Sequence, residues 1–218
     1  MKAMVLAAGL GTRLRPLTDT RPKALVETGG RTLLEITLER LRASGVGDVI
    51  INVHHFADMM LEYLKEKNNF GMRIEISREE SLLDTGGGLK KAAWFFRDDT
   101  EPFLLHNVDV ISTIDLHRMT DHHNRHAALA TLAVRHRRTS RPLAFDKHLV
   151  LKGRGPGLAF SGIHVISPRL LPMLTEDGAF SIIDAYVRLA SQGERILGFR
   201  ADEYDWRDLG RLEEFKKL

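Results

Sequence analysis

No cysteine occurs among the 218 residues, which excludes disulfides, thiolate zinc sites and cysteine nucleophiles together. The opening apolar run is cut by Gly9, Gly11, Arg13 and Arg15, too early for a signal peptide or a membrane span. A cytoplasmic enzyme with no membrane partner is the expectation. Strong charge of one sign is also missing. The net charge is only +3, and the cations form no dense stripe of the kind that binds nucleic acid. Such a balance suits a small anionic substrate. Internal repeats, low-complexity tracts and long linkers are absent, so residues 1–218 read as one domain able to bury a large core.

Two familiar phosphate loops are lacking as well. No Gly-Lys-Ser/Thr follows Gly9, which excludes a P-loop. The dinucleotide pattern Gly-x-Gly-x-x-Gly begins at Gly9 and Gly11, but its third position is Leu14. What is present is an apolar run from Ala3 to Ala8, with the composition of a buried parallel strand. It opens into Gly9-Leu10-Gly11-Thr12-Arg13. Glycines there leave the main chain bare, so successive N–H groups can converge on an anion. Arg13 adds a fork of donors and Lys23 a compact charge. A nucleoside triphosphate is the natural guest of a strand, a bare cradle and two cations.

Downstream, Thr32-Leu33-Leu34-Glu35 is a capping box before an amphipathic helix that ends at Gly45. Asp48 to Val53 reads as a buried strand, Ala57 to Lys67 as a helix and Met72 to Ser77 as a strand. Gly86-Gly87-Gly88 breaks the chain before a helix from about Leu89 to Phe96. A strand over Phe103 to Val108 and a helix over Ile114 to His126 follow. Ala128 to Val134, Phe160 to Ile166 and Arg195 to Arg200 read as strands, with short strands or a hairpin in Pro142 to Lys152. Ser181 caps a helix that ends near Gln192, and Leu212 to Lys217 is a short terminal helix. This alternation predicts an α/β protein, Rossmann-like, with three α/β/α layers around a mostly parallel mixed sheet. Residues 1–110 form a nucleotide-binding half and 111–218 a second half. Ligands in such sheets gather at the carboxyl ends of strands, which points to the loops after Ala8, Ser77, Val108 and Ile166.

Asp109 stands just past an apolar strand, where an acid is either a Mg²⁺ ligand or a turn cap. His117, His122, His123 and His126 crowd one helix and read as an exposed polar face, since no Glu follows His122 as a zinc helix requires. His54 and His55 support the nucleotide loops. Arg135, Arg137, Arg138 and Arg141 are a solvated basic cluster, a secondary candidate for steering phosphates.

Gly-x-Gly-Thr-Arg-Leu-x-Pro-Leu-Thr followed by Pro22-Lys23-Ala24-Leu25 resembles the signature of the sugar-1-phosphate nucleotidyltransferases. Asn107-Val108-Asp109 resembles their metal-binding Asn/Gly-x-Asp motif, and Trp206-Arg207-Asp208-Leu209-Gly210 their Trp-x-Asp-x-Gly-Thr, with Arg211 in place of the final Thr. The resemblance implies the nucleotide-diphospho-sugar transferase fold and Mg²⁺-dependent transfer of a nucleotidyl group from a nucleoside triphosphate to a sugar 1-phosphate. It gives Arg13 and Lys23 catalytic roles and assigns the nucleotide to Ala8, Gly9, Gly11, Thr12, Arg13, Lys23, Glu80, Thr85 and Gly86. Residues 111–218 become the sugar-phosphate-binding half, with Asn107, Ser161 and Gly162 expected to meet the sugar phosphate, and Asp109 with Asp208 fall to the metal; Asp202 and Asp205 lie close enough to compete with Asp208. Glu80 stands where relatives read the base. The missing Glu-Lys-Pro motif, the Asp84-Thr85-Gly86-Gly87-Gly88 segment and Asn52-Val53-His54-His55 are most similar to the small muramic acid 1-phosphate uridylyltransferase branch, beside the mannose-1-phosphate guanylyltransferases. A monomer or weak homodimer is expected. The rival readings are a phosphocholine-type cytidylyltransferase, a metal-dependent glycosyltransferase and a non-catalytic nucleotide-sensing subunit.

Overall fold

A computed structural model describes residues 1–215. In chain order its strands are β1 (Lys2–Leu6), the paired stubs β2 (Glu27–Thr28) and β3 (Arg31–Thr32), β4 (Asp48–Val53), β5 (Arg73–Arg78), β6 (Phe103–Asn107), β7 (Val110–Ser112) and β8 (Ala130–Arg135). Then come β9 (Leu143–Phe145), β10 (Leu151–Arg154), β11 (Ala159–Ile166), β12 (Ile196–Arg200) and β13 (Trp206–Asp208). The helices are α1 (Leu33–Ala43), α2 (Ala57–Glu66), α3 (Asp84–Ala92), α4 (Leu116–Arg125), α5 (Ile182–Ser191) and α6 (Leu212–Phe215). The expected terminal helix thus runs to Phe215, and its remaining residues lie outside the described ones. No helix among the described residues is long and apolar enough to cross a membrane.

A seven-stranded sheet in the order β12-β8-β11-β6-β1-β4-β5 forms the middle layer. Strands from the first 107 residues occupy one side of it and strands from beyond residue 129 the other. Alternate side chains feed opposite layers, as the period of a strand requires. Ala3, Val5, Val49, Ile51 and Leu104 pack with Leu34, Leu38 and Leu41 of α1 and Met60 of α2. Met4, Ile50 and Leu105 face the other way, onto Leu89 and Ala92 of α3 and Tyr186 and Leu189 of α5. The near-continuous apolar runs seen in the sequence are strands buried on both faces.

Only β11 runs against its neighbours, antiparallel to both β6 and β8. Ile166 therefore pairs with Phe103, the first residue of β6. This overturns the expectation for the loop after Ile166, which lies at the far edge of the sheet. It is the beginning of β11 that reaches the ligand end. There its register against β8 shifts between Phe160 and His164, and Gly162 adopts a φ of 81°.

The glycine triplet does not break the chain. It lies inside α3, which ends at Ala92 and passes into a 3-10 turn over Ala93–Phe96. Tertiary packing overrides the low helix propensity of glycine here. A Cβ on Gly86 would stand 2.3 Å from Phe180 Cε2, and one on Gly87 would stand 2.4 Å from the Gly178 carbonyl oxygen. Bare backbone lets the 178–182 segment lie directly on the helix. His123 also departs from the exposed face predicted for it. It is buried, within 3.0 Å of Thr131 Oγ1 through its Nδ1, and burial lowers its pKa to about 4.

Candidate active site

The strand β1 delivers Ala8 and Gly9 to the carboxyl edge of the sheet. A Cβ added to Gly9 would meet no atom within 4 Å, so the main chain there faces open space. Gly11 turns the loop with a φ of 65°, and its carbonyl accepts from Thr18 Oγ1 at 2.9 Å and from the Leu14 N–H at 2.8 Å. The loop closes so tightly that a Cβ on Gly11 would lie 3.1 Å from Lys23 Cβ. Thr12 begins a 3-10 turn that carries Arg13. Local geometry thus gathers the bare backbone, Arg13 and Lys23 in one place.

The two acids come together by a longer route. The strand β13 pairs with β7, with Asp208 opposite Val110, and the Leu209 N–H donates to the Asp109 carbonyl at 2.8 Å. Trp206 fixes the returning chain through Nε1, which donates to the Ser161 carbonyl at 2.7 Å. The point that a Cβ on Gly210 would occupy lies 2.7 Å from Asp109 Oδ2, 2.8 Å from Asp208 Oδ1 and 3.1 Å from an Arg13 guanidinium nitrogen. Lys23 Nζ donates to Asp109 Oδ2. Arg13, Lys23, Asp109 and Asp208 therefore converge. Asp202 is engaged elsewhere, by the His136 N–H and Arg200.

Among the described residues no three histidine or acidic side chains gather. Two convergent carboxylates nevertheless fit Mg²⁺, which keeps several waters and takes further oxygens from phosphate. Any side chain at position 210 would fill the space between them.

Of the residues expected to meet the sugar phosphate, Asn107 Oδ1 and Ser161 Oγ are buried without a hydrogen-bond partner among the described residues. Gly162 approaches both strands closely, since a Cβ there would lie 2.6 Å from Val110 Cγ2 and 3.2 Å from Asn107 Nδ2. Asn107 and Thr85 line a cavity of about 260 Å³. The other residues expected to meet the nucleotide are placed differently. Gly86 N–H donates to the Phe180 carbonyl at 2.9 Å, and Thr85 Oγ1 accepts from the Ile182 N–H at 3.0 Å. Glu80 is exposed in a separate cavity with His54, His55 and Arg78.

Three residues have supporting roles that the sequence alone did not reveal. Asn52 accepts from the Ala7 N–H at 2.7 Å and donates to Glu79 Oε1 at 2.8 Å, and Glu79 also accepts from the Leu83 N–H at 3.1 Å. This buried pair ties the phosphate loop to the segment before α3. His54, as expected, braces the same segment through Nδ1 at 2.8 Å from the Glu79 carbonyl. The third is Arg40, which donates to Ser112 Oγ at 2.8 Å and lies 3.4 Å from His106 Nε2. His106 Nδ1 in turn sits 2.8 Å from the Asn107 carbonyl, so the neutral ring donates forward and accepts from behind. Burial, with Arg40 second, lowers the His106 pKa to about 3. The sequence signal was a polar residue inside an otherwise apolar strand, at Asn52 and at His106.

The sequence profile of the nucleotidyl transferase family matches residues 2–145. The chain is 36% identical to the N-acetylmuramate alpha-1-phosphate uridylyltransferase of Caulobacter vibrioides, over 95% of this chain and 91% of that protein. It is 30% identical to the mannose-1-phosphate guanyltransferase of Candida albicans over 99% of its own length, but spans only 62% of that relative. A solved UDP-glucose pyrophosphorylase complexed with UDP-glucose has the same fold, with a TM-score of 0.83 at 19% identity, covering 99% of this chain and 96% of the other. The chain belongs to the nucleotidyl transferase family and is a sugar-1-phosphate nucleotidyltransferase.

Proposed function

We propose that Arg13, Lys23, Asp109 and Asp208 form one reaction centre, where a sugar 1-phosphate oxygen attacks the α-phosphorus of a nucleoside triphosphate and pyrophosphate leaves. The observation behind this reading is the meeting of two carboxylate oxygens and a guanidinium nitrogen around the bare Cα of Gly210. Bound between those carboxylates, Mg²⁺ would neutralise charge shared by donor and acceptor. The acceptor is already an anion, so no side chain has to remove a proton. The protein's own task is to hold mutually repelling anions in line and to stabilise charge on the leaving group. Gly9 and Gly11 let backbone N–H groups approach the phosphates, with Ala8 and Thr12 flanking them. Arg13 and Lys23 supply fixed positive charge. In the free protein Lys23 is balanced by Asp109, which keeps the lysine aimed at the crevice.

Glu80, Thr85 and Gly86 serve the nucleoside in this reading, and the unpartnered Asn107 Oδ1 and Ser161 Oγ suit donors on a sugar. UTP is the first donor to test, because the relative matched over most of its length is a uridylyltransferase. The chain would act in the cytoplasm, as a monomer or weak homodimer.

The test is pyrophosphate release across a panel of nucleoside triphosphates and phosphorylated acceptors, with Mg²⁺ or with a chelator. Release is expected only when triphosphate, Mg²⁺ and a sugar 1-phosphate are all present. Glycosyl transfer from a sugar nucleotide without pyrophosphate exchange overturns the reading. Release with phosphocholine alone among the acceptors does so too.

A further inference from the structure

A buried polar pair, His164 and Tyr186, has no part in the reaction centre set out above. His164 lies on β11, opposite Leu105 of β6 and Leu132 of β8. Its neighbours Ile163 and Val165 pack into the layer of α1 and α2, so the alternation of a strand turns the imidazole to the other face, toward Tyr186 of α5. Both rings are buried, and Tyr186 Oη lies 3.1 Å from His164 Nδ1. A buried phenol left without an acceptor forfeits a hydrogen bond it would have in water. That nitrogen is the acceptor the described residues offer it, so the hydroxyl donates and Nδ1 carries no proton. Burial pushes the phenol pKa well above its usual value and the imidazole pKa down to about 3, so neither ring is charged. The imidazole proton therefore sits on Nε2, which has no hydrogen-bond partner among the described residues.

His164 lines the 260 Å³ cavity, and the other residues around it divide by burial. Asp84, Arg137, Arg141 and Arg154 bring charge of both signs, but all four are exposed and belong to the mouth. The buried end is made by His164 with Leu143 and Ile182. Asn107 stands two residues beyond Leu105 and so projects to the same face of the sheet as His164. Its Oδ1 is buried and unpartnered among the described residues. This end thus holds one spare donor, one spare acceptor and no charge. A hydroxyl, which accepts and donates at once, satisfies both. A carbonyl would satisfy only His164, and an anion would face the Asn107 oxygen. Asn107 also stands two residues before Asp109, while Glu80 lies in a separate cavity, which favours the acceptor over the nucleoside.

We propose that His164 is a substrate-binding residue, whose Nε2–H donates to a ring hydroxyl of the acceptor sugar, and that Tyr186 is the positioning residue that holds the imidazole in this tautomer. The proposal rests on the sugar 1-phosphate transfer set out above. Neither residue takes part in the displacement at phosphorus.

The test measures pyrophosphate release with glucose, mannose, N-acetylglucosamine and N-acetylmuramate 1-phosphates, then with the monodeoxy analogues of whichever has the highest kcat/KM. His164→Asn keeps an acceptor for the Tyr186 hydroxyl but loses the donor at the Nε2 position. It should raise the acceptor KM about three- to tenfold, the scale of one uncharged hydrogen bond, with kcat and the triphosphate KM unchanged. His164→Gln, whose amide reaches that position, should recover part of the loss. One monodeoxy analogue should lose a similar factor with the unaltered chain and nothing further with His164→Asn. In ¹⁵N NMR spectra the unaltered chain should show His164 protonated at Nε2, with that resonance shifted by saturating acceptor, and Tyr186→Phe should give a mixture of tautomers. This measurement stands even if His164→Asn does not fold. A proton on Nδ1, an Nε2 resonance that the acceptor leaves unmoved, or an unchanged acceptor KM in folded His164→Asn overturns the hydroxyl subsite and leaves the transfer reading standing. A rise in the triphosphate KM alone moves the ring to the nucleotide and overturns it too. No release with any sugar 1-phosphate overturns both.

Discussion

The two sides of the crevice are built in opposite ways. The side proposed for the donor closes on itself between β1 and Lys23, through a glycine of positive φ and a few hydrogen bonds between near neighbours. The side proposed for acceptor and metal is assembled from β6, the beginning of β11 and the returning β13, with no local motif joining them. Its geometry therefore depends on the whole sheet being formed. Chemistry on the first side should respond to single side chains, and chemistry on the second to anything that moves one strand against another.

The sharpest way to test that contrast is to remove the acids. Asp109→Asn and Asp208→Asn should each lower turnover by about a thousandfold, and the double variant should be scarcely worse than the poorer single one, because groups acting as a unit give non-additive losses. Steady-state kinetics on the three proteins decide this, and additive losses would mean two separate sites. Triphosphate affinity without metal should be unchanged or higher, since negative charge has been removed. On the local side, Arg13→Ala and Lys23→Ala should each cost about a hundredfold at saturating substrate, the scale of deleting one fixed donor from developing charge. Near-normal turnover in either, with the circular dichroism spectrum retained, would remove that residue from the centre.

A smaller effect separates folding from chemistry. Gly9→Ala should leave thermal stability unchanged, because its Cβ enters open space, whereas Gly87→Ala meets the Gly178 carbonyl at 2.4 Å. Overpacking of this kind costs about 1–3 kcal/mol, read as a lower Tm and denaturant midpoint. Equal stability for the two would break the link between α3 and the 178–182 segment.

The smallest effect per group is acid sensitivity. Burial lowers the pKa of His106 and His164 to about 3 and of His123 to about 4. Unfolded, each returns to about 6.5, so between these values the unfolded chain binds more protons. Stability is then complete above about pH 6.5 and falls as pH drops toward the folded values. At pH 5 the loss should be about 1–2 kcal/mol for each imidazole, measured by urea denaturation at pH 7 and pH 5. His123→Leu should flatten part of that slope.

The pattern of apolar runs and capping residues was enough to read the three layers and the seven strands of the main sheet, because strands buried on both faces leave long Val, Ile and Leu runs, whereas the short β2, β3, β7 and β13 left no such signal. Thr32 does cap α1, accepting from the Glu35 N–H at 3.0 Å, but Glu35 turns away to Tyr63. The direction of β11 was not legible, since a buried strand has the same composition whichever way it runs. Nor was the helix through Gly86–Gly88, whose glycines answer to Phe180 and Gly178, far away in the chain.

At the site, the phosphate loop is a property of the sequence itself. Gly9, Gly11, Arg13 and Lys23 lie near one another in the chain, and contacts within the loop, from Gly11 to Thr18 and Lys23, gather them. The meeting of Asp109 with Asp208 and the bare Cα of Gly210 between them were decided only by tertiary structure. Each depends on strands and loops meeting across the sheet, and the free energy that joins them is the burial of the core, which no short stretch of residues contains.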